Sequence, residues 1–273
     1  MKSFKRAIFA VAAAMFAVAC CCGGGNGSYS GPALSGHRGV PYLAPENTMA
    51  AIDSAIVLGV EFAEVDVYES KDGVLYIIHD RTMDRTTNGT GYIANLNSSY
   101  IDTLDAGEWY GEEFRGLSVP RLRDVLRRAK EGGVKLTLDY RTGDLQKMYD
   151  MIVEEEMLDN VTYVMPREAA YRKFREIAPD VKGMQAYVSG ESSMERDIER
   201  WNPDVAVVWT DSLTQNLVDK LHEKNIKVLA LSLKKEDPDT MGYNKCVRLG
   251  VDVIATDRPD YYAKRRNGSK CCR

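Results

Sequence analysis

Two histidines and two acidic residues stand early in the chain, in an order that suits phosphoryl chemistry. His37 and His79 are two of only three histidines in the sequence, and Glu64 and Asp66 lie between them. If residues 62–68 form a strand, Glu64 and Asp66 point to the same side, because side chains alternate along a strand. Paired carboxylates bind hard cations such as Mg2+ or Ca2+. With a histidine on each flank as acid and base, the pattern indicates metal-assisted phosphoryl chemistry.

The scaffold that must hold these residues is predicted by apolar runs that alternate with amphipathic helical patterns. Short runs rich in Val and Ile between such helices indicate parallel strands with crossover helices. About 240 residues follow residue 32, close to the ~250 of one barrel. We predict an α/β fold, a (β/α)8 TIM barrel, over residues 33–263. Its strands are expected at 33–36, 62–68, 134–140, 161–165, 183–188, 205–209, 227–231 and 252–255.

This strand assignment places the candidate residues at one rim of the barrel, where the strands end. Glu64 and Asp66 end the second strand, while Asp139 and Arg141 end the third and share a strand face. Catalytic residues of such barrels come from the carboxyl ends of several strands. More than sixty residues separate the second and third strands. We predict an insertion at about residues 69–118, with a short strand at 75–78, as one wall of the pocket.

Two helices have boundaries that are readable from the sequence. Asn47 or Thr48 caps a helix that runs to about Leu58, and Gly59 follows its end. Residues 213–224 carry leucine and valine at helical spacing, which predicts a barrel helix. His222 lies on that helix, away from the rim, and is assigned no role.

Several short motifs resemble the glycerophosphodiester phosphodiesterase family across about residues 33–262. The matching residues are His37-Arg38-Gly39, Pro45-Glu46-Asn47-Thr48, Glu64-Val65-Asp66-Val67, His79-Asp80, Arg85-Thr86-Thr87-Asn88-Gly89 and Ala255-Thr256-Asp257-Arg258-Pro259. Each motif is weak alone, but their ordered combination is specific.

The resemblance implies a role for each of these candidate residues. His37 and His79 would be the acid and base pair, and Glu64 and Asp66 would be metal ligands. Arg38 would contact phosphate. Glu46 would be a supporting residue that orients His37 or Arg38.

Two segments depart from the family pattern. Asp139-Tyr140-Arg141 stands where the family usually has Glu-x-Lys. Aspartate still binds a hard cation, as in the related spider-venom phospholipases D, and arginine keeps the positive charge with a fork that grips phosphate. We therefore expect Asp139 as third ligand and Arg141 as a phosphate contact. The second departure is Leu229-Ala230-Leu231-Ser232 in place of Trp-Thr-Val-Asn, which changes the pocket for the leaving group.

The start of the chain has the pattern of an export signal. Lys2, Lys5 and Arg6 precede an apolar run that ends in small residues before Cys20. We predict a signal peptide at 1–19, because the apolar run is too short to span a membrane. Cys20 resembles the acylated residue of a bacterial lipoprotein, with ordinary secretion as the alternative. Residues 20–32 form a Gly/Ser-rich tether, so we expect a lipid-anchored protein of the bacterial cell envelope.

Charge and cysteine content exclude other classes of site. The formal net charge of −4 becomes −7 once residues 1–19, with three basic residues and no acid, are removed. This balance disfavours nucleic acid as a partner, and the basic residues 264–273 are expected to be a solvated tail. The six cysteines show no zinc spacing. Cys246 lies in an apolar helical pattern, so we expect it to be buried.

These observations together predict metal-dependent hydrolysis of a small glycerophosphodiester to glycerol 3-phosphate and an alcohol, with one Ca2+ or Mg2+ ion. One alternative is a phosphodiesterase acting on a different lipid headgroup or on an envelope glycan. Another is a non-catalytic lipoprotein that binds phosphodiesters, in which Asp139 would be a misplaced ligand.

Overall fold

The structure is a computed structural model that describes residues 31–233 and 240–268. The predicted signal peptide, Cys20 and most of the tether lie outside the described residues, as do the last five residues of the basic tail. Within the described part of the chain, no helix is both long and apolar enough to cross a membrane.

Eight parallel strands close into a barrel. They are β1 (Ala33–Gly36), β2 (Phe62–Glu69), β4 (Lys135–Tyr140), β5 (Val161–Val164), β6 (Met184–Tyr187), β7 (Val205–Trp209), β8 (Lys227–Ser232) and β9 (Val253–Thr256). Neighbours pair in that order, and β1 pairs with both β2 and β9, which closes the ring. The predicted TIM barrel is therefore confirmed, with the strand boundaries shifted by no more than two residues.

Helices surround the barrel, one after most strands. They are α1 (Met49–Leu58), α3 (Leu122–Gly132), α4 (Leu145–Glu154), α5 (Glu168–Ile177), α6 (Met194–Trp201), α7 (Gln215–Glu223), α8 (Thr240–Leu249) and α9 (Pro259–Gly268). The main apolar core lies between strands and helices. Leu34, Val65 and Leu138 contribute from the strands and Leu126 and Leu217 from the helices. Cys246 is buried, as expected.

Because strand side chains alternate, the residues between these core positions point into the barrel. Glu64, Thr137 and Gln185 are such inward-facing residues, and they line a cavity at the barrel centre. The large apolar residues thus hold the helices on the outside. Polar residues of β2, β4 and β6 face the barrel axis, together with a small apolar cluster that includes Val207 and Leu229.

Local capping explains where the two predicted helices begin and end. The Thr48 hydroxyl accepts a hydrogen bond from the Ala51 N–H at 3.3 Å, which makes Thr48 the N-cap of α1. Gly59 ends α1 in the left-handed conformation at φ 66°. The second helix begins later than predicted, because Thr214 caps α7 and leaves Leu213 outside it.

The segment between β2 and β4 begins at the carboxyl end of β2. Strand β3 (Leu75–Ile77) pairs antiparallel with the end of β2, and the one-turn helix α2 (Ser98–Ile101) follows. Tyr76, Met83 and Ile93 belong to a small apolar cluster of this segment. His79 follows β3 directly, so this packing positions it beside the rim of the barrel.

Candidate active site

Three carboxylates meet inside the barrel near the carboxyl ends of β2 and β4. Asp66 and Asp139 are direct partners in the parallel register, and Glu64 lies two residues before Asp66 on the same face. One oxygen from each carboxylate lies within 4.8 Å of the others, and all three residues are buried. Asp139, whose shorter side chain replaces the expected glutamate, thus reaches the other two.

The charges of this cluster are only partly compensated by the protein. Burial raises the pKa of Glu64 well above its ordinary value, and the charges of Asp66 and Asp139 add to the effect. Burial also raises the pKa of Asp139 to about 7. The Oδ1 atom of Asp139 is buried without a hydrogen-bond partner. Three carboxylates with one unpartnered oxygen fit a hard divalent cation, which would supply the missing positive charge.

Two neighbours hold Asp66 in place. The Asn47 side chain donates to Asp66 Oδ2 at 2.8 Å and accepts from the Asp66 N–H at 3.2 Å. The Arg141 guanidinium donates to Asp66 Oδ1 at 2.9 and 2.7 Å, and also lies 3.0 Å from an Asp139 oxygen. From the sequence, Asn47 is a possible helix cap and part of the Pro45-Glu46-Asn47-Thr48 motif, and its contact with Asp66 is not predicted. Its left-handed backbone, φ 55°, is tolerated by asparagine better than by most residues.

A tight turn after β1 places Arg38 against the cluster. Arg38 and Gly39 both adopt positive φ, 52° and 84°. This turn aims the Arg38 N–H at Glu64 Oε2, at 2.7 Å. The Arg38 guanidinium donates to Glu46 at 2.8 Å, while its Nε is buried without a hydrogen-bond partner. The structure therefore places Glu46 against Arg38, one of the two arrangements considered from the sequence.

Each histidine is oriented by an aspartate. His37 Nδ1 lies 2.7 Å from Asp257, which follows β9, and His79 Nδ1 lies 2.7 Å from Asp80. A carboxylate on Nδ1 fixes the ring and leaves Nε2 for chemistry. From the sequence, Asp257 belongs to the Ala255-Thr256-Asp257-Arg258-Pro259 motif and has no predicted role. Its partnership with His37 depends on closure of the barrel, which brings β9 beside β1.

Arg85 links the two flanks of the site. Its guanidinium donates to Glu46 at 2.7 and 3.1 Å and to Asp80 at 2.6 and 3.2 Å. The loop after β1, which carries Arg38 and Glu46, is thereby joined to the segment that carries His79. The sequence places Arg85 in the turn motif Arg85-Thr86-Thr87-Asn88-Gly89 but does not predict this bridge.

A cavity of about 80 Å3 opens beside these groups. Its lining includes the charged site residues His37, Glu64, Asp139 and Arg141, the polar residues Ser35, Thr137 and Gln185, and apolar side chains of β5, β7, β8 and β9. A larger cavity of about 720 Å3 lies at the amino-terminal end of the barrel, and none of the candidate residues lines it. Since barrel enzymes carry their chemistry at the carboxyl end, the smaller cavity is the candidate active site.

Comparison with known proteins agrees with this geometry. Residues 37–261 match the model of the glycerophosphoryl diester phosphodiesterase family. A glycerophosphodiester phosphodiesterase of Caldanaerobacter subterraneus subsp. tengcongensis is 29% identical over 237 residues, covering 82% of this chain and 93% of that protein.

Solved structures show the same architecture. The crystal structure of glycerophosphodiester phosphodiesterase from Agrobacterium tumefaciens superimposes with a TM-score of 0.77 at 30% identity, covering 85% of this chain and 99% of that one. A phosphodiesterase of Oleispira antarctica, in complex with the product sn-glycerol-3-phosphate, shares the fold with a TM-score of 0.75 at 24% identity. That match covers 87% of this chain and 97% of the other.

Proposed function

The chain belongs to the glycerophosphoryl diester phosphodiesterase family, and on that premise we propose that it hydrolyses glycerophosphodiesters to glycerol 3-phosphate and an alcohol in a metal-dependent reaction. The observation that carries the proposal is the cluster of Glu64, Asp66 and Asp139, of which Glu64 and Asp139 line one cavity with His37. The complex of the Oleispira antarctica phosphodiesterase with sn-glycerol-3-phosphate fits release of that product.

The three carboxylates would hold one Ca2+ or Mg2+ ion. When bound, the ion would withdraw charge from a phosphoryl oxygen and so favour attack at phosphorus. The donor set suits a hard cation, because every ligand is a carboxylate oxygen and one of them lacks any other partner.

The two histidines would act as acid and base. One takes the proton of the attacking water or of a neighbouring glycerol hydroxyl, and the other donates a proton to the departing alkoxide. Asp257 and Asp80 hold the rings in the orientation that this transfer needs.

Arg38 and Arg141 would bind the phosphate. Both guanidinium groups already lie at the carboxylate cluster, where Arg141 contacts Asp66 and Asp139. A phosphodiester brings a negative charge between these groups. Its oxygens would receive fork-shaped hydrogen bonds that a lysine does not offer.

The test is hydrolysis of glycerophosphoethanolamine with added Ca2+ or Mg2+. We expect His37→Ala and His79→Ala to lower kcat by about 10²-fold or more. His222→Ala is the matched control, since His222 pairs with Asp252 on the outside of the barrel. Wild-type rates in both site variants, with folding verified by circular dichroism, would exclude the proposed roles.

We also propose that the protein is exported and anchored to the envelope through a lipid on Cys20. The support is the pattern of basic, apolar and small residues before this cysteine. Labelling of growing cells with a radioactive fatty acid tests it. The label should appear in the wild type and be absent from Cys20→Ser.

A further inference from the structure

The two histidines of the site are held by aspartates in different surroundings. His37 pairs with Asp257, which directly follows strand β9 of the barrel and whose side chain is only 4% exposed. Asp257 is therefore kept in place by the barrel itself. His79 pairs with Asp80, its neighbour on the segment between β2 and β4, and the Asp80 side chain is 28% exposed. A carboxylate this open to water holds one position only with a further partner, because an exposed ion pair gains little energy and restricts its side chains.

Arg85 is the further partner of Asp80. Its Nε donates to Asp80 Oδ2 at 2.6 Å, and one of its terminal nitrogens donates to Asp80 Oδ1 at 3.2 Å. Oδ1 is the same oxygen that lies 2.7 Å from His79 Nδ1. The hydrogen bonds from Arg85 are the largest cause of the low pKa of Asp80, about 2 against an ordinary value of 3.8. Arg85 thus binds both oxygens of Asp80 and keeps the carboxylate charged as the acceptor for the His79 ring.

The other side of the Arg85 guanidinium is bound to Glu46, a buried residue of the loop after β1. Both terminal nitrogens donate to Glu46, at 2.7 and 3.1 Å. The Oε1 atom that accepts at 2.7 Å also accepts from Arg38 at 2.8 Å. Because Glu46 is buried and accepts from both arginines, it fixes the position of the Arg85 guanidinium relative to that of Arg38.

These contacts use the hydrogen-bonding capacity of Arg85 on protein groups. Every nitrogen atom of its side chain donates to Asp80 or to Glu46. Arg85 is also not among the residues that line the active-site cavity. Its planar guanidinium spans both carboxylates at once, which the single ammonium group of a lysine does not do. Arg85 is therefore suited to holding its neighbours in place and not to binding phosphate.

We propose that Arg85 is a positioning residue of the reaction, which acts on the ring of His79 through Asp80. It thereby keeps the ring at a fixed place relative to Arg38. The inference rests on the proposed function, in which Arg38 binds the phosphate and His79 transfers a proton. Proton transfer requires the ring within hydrogen-bond reach of the reacting oxygen, and a displacement of about 1 Å at such a site lowers the rate by up to about 10²-fold. Without Arg85, the Asp80 carboxylate turns towards water and His79 loses its orientation.

The first measurement is hydrolysis of glycerophosphoethanolamine by Arg85→Ala and Arg85→Lys, with Ca2+ or Mg2+ added and folding verified by circular dichroism. We expect Arg85→Ala to lower kcat by about tenfold to hundredfold and to change KM by less than about threefold, because Arg38 still donates to Glu46. Arg85→Lys keeps the charge and should recover only part of kcat. Arg115→Ala is the matched control, since Arg115 is an exposed arginine that pairs with two glutamates of the same segment. Its kcat should equal that of the wild type.

Two further readouts separate positioning from a general loss of stability. In the Asp80→Ala background, where the group that Arg85 holds is already absent, Arg85→Ala should lower kcat by less than about twofold. Guanidinium chloride at millimolar concentration should restore part of kcat to Arg85→Ala, because the Arg85 side chain is 43% exposed and its removal opens the space between the two carboxylates to solvent. The same addition should leave the wild type and Arg115→Ala unchanged, and sodium chloride should restore nothing.

The results distinguish a failure of this inference from a failure of the function on which it rests. An unchanged kcat in Arg85→Ala, with a wild type that hydrolyses the ester, would overturn the positioning role and leave the hydrolase intact. A rise confined to KM would overturn it as well, since Arg85 would then serve Arg38 and phosphate binding. Equal losses of kcat in the wild-type and Asp80→Ala backgrounds would show that Arg85 does not act through Asp80. Absence of hydrolysis by the wild type would reject the proposed function itself.

Discussion

Replacement of Glu46 by glutamine tests how the charge network holds the site together. The Glu46 carboxylate is buried and accepts hydrogen bonds from Arg38 at 2.8 Å and from Arg85 at 2.7 and 3.1 Å. Burial by itself raises the pKa of Glu46. The hydrogen bonds and charges of the two arginines outweigh burial and hold the pKa at about 2, against an ordinary value of 4.5.

The loss of stability expected for Glu46→Gln, and its dependence on pH, follow from this lowered pKa. A change from 4.5 to about 2 corresponds to about 3 kcal/mol of stability at about 1.4 kcal/mol per pKa unit. The folded-state pKa lies below the unfolded one, so this stability is present above about pH 4.5 and is lost as the pH falls towards 2. Glutamine has a similar shape without the charge. We expect Glu46→Gln to lower the free energy of unfolding by about 3 kcal/mol at pH 7, and by less than half as much near pH 3.

The assay is urea unfolding at several pH values between 7 and 3, with a chelator present so that metal binding does not contribute. Glu199→Gln is the control, because Glu199 is an exposed residue on α6. A destabilisation that is equal at pH 7 and pH 3 would refute the reasoning. A similar effect in Glu199→Gln would refute it as well.

Three further predictions concern the carboxylate cluster and residues that contact it or His37. Asp139→Asn should lower the affinity for Ca2+ at least about tenfold in a calorimetric titration, because one of three charged ligands is lost; unchanged affinity would remove it from the ligand set. Asp257→Asn should lower kcat by about tenfold to hundredfold with little change in KM, since His37 loses the carboxylate that orients it; a change confined to KM would argue against that role. Asn47→Ala should lower the free energy of unfolding by about 2 kcal/mol, through lost hydrogen bonds to Asp66 and an unfavourable positive φ. Asn47→Gly, which relieves the backbone, should recover part of that loss, and equal stability of the two variants would contradict the backbone contribution.

Much of the fold could be predicted because strand signals are local. The bounds predicted for β1 and β7 match the structure to the residue, and the alternation in β2 puts Glu64 and Asp66 on one face. Parallel strands of a barrel end at one rim, so the order of the strands along the chain predicts that Asp139 lies beside Glu64 and Asp66.

Other features of the site depend on side chains that meet across long sequence separations. Arg85 bridges Glu46 and Asp80, 39 and five positions away. Asn47 clamps Asp66 because the loop after β1 folds over β2. Hydrophobic patterns in the sequence do not predict such side-chain pairs, because each polar or charged side chain has several possible partners.

The sequence by itself determined the barrel, its strand order and the acidic and histidine residues at its rim, because period-two and helical patterns express backbone geometry over a few residues. Only the tertiary structure decided which partner each of those residues takes. His37 meets Asp257 across 220 positions because the barrel closes, and Arg141 contacts Asp66 as well as Asp139 because parallel register sets them side by side. Strand register and barrel closure are collective properties of the packed chain, and they fix which side chains share a cavity.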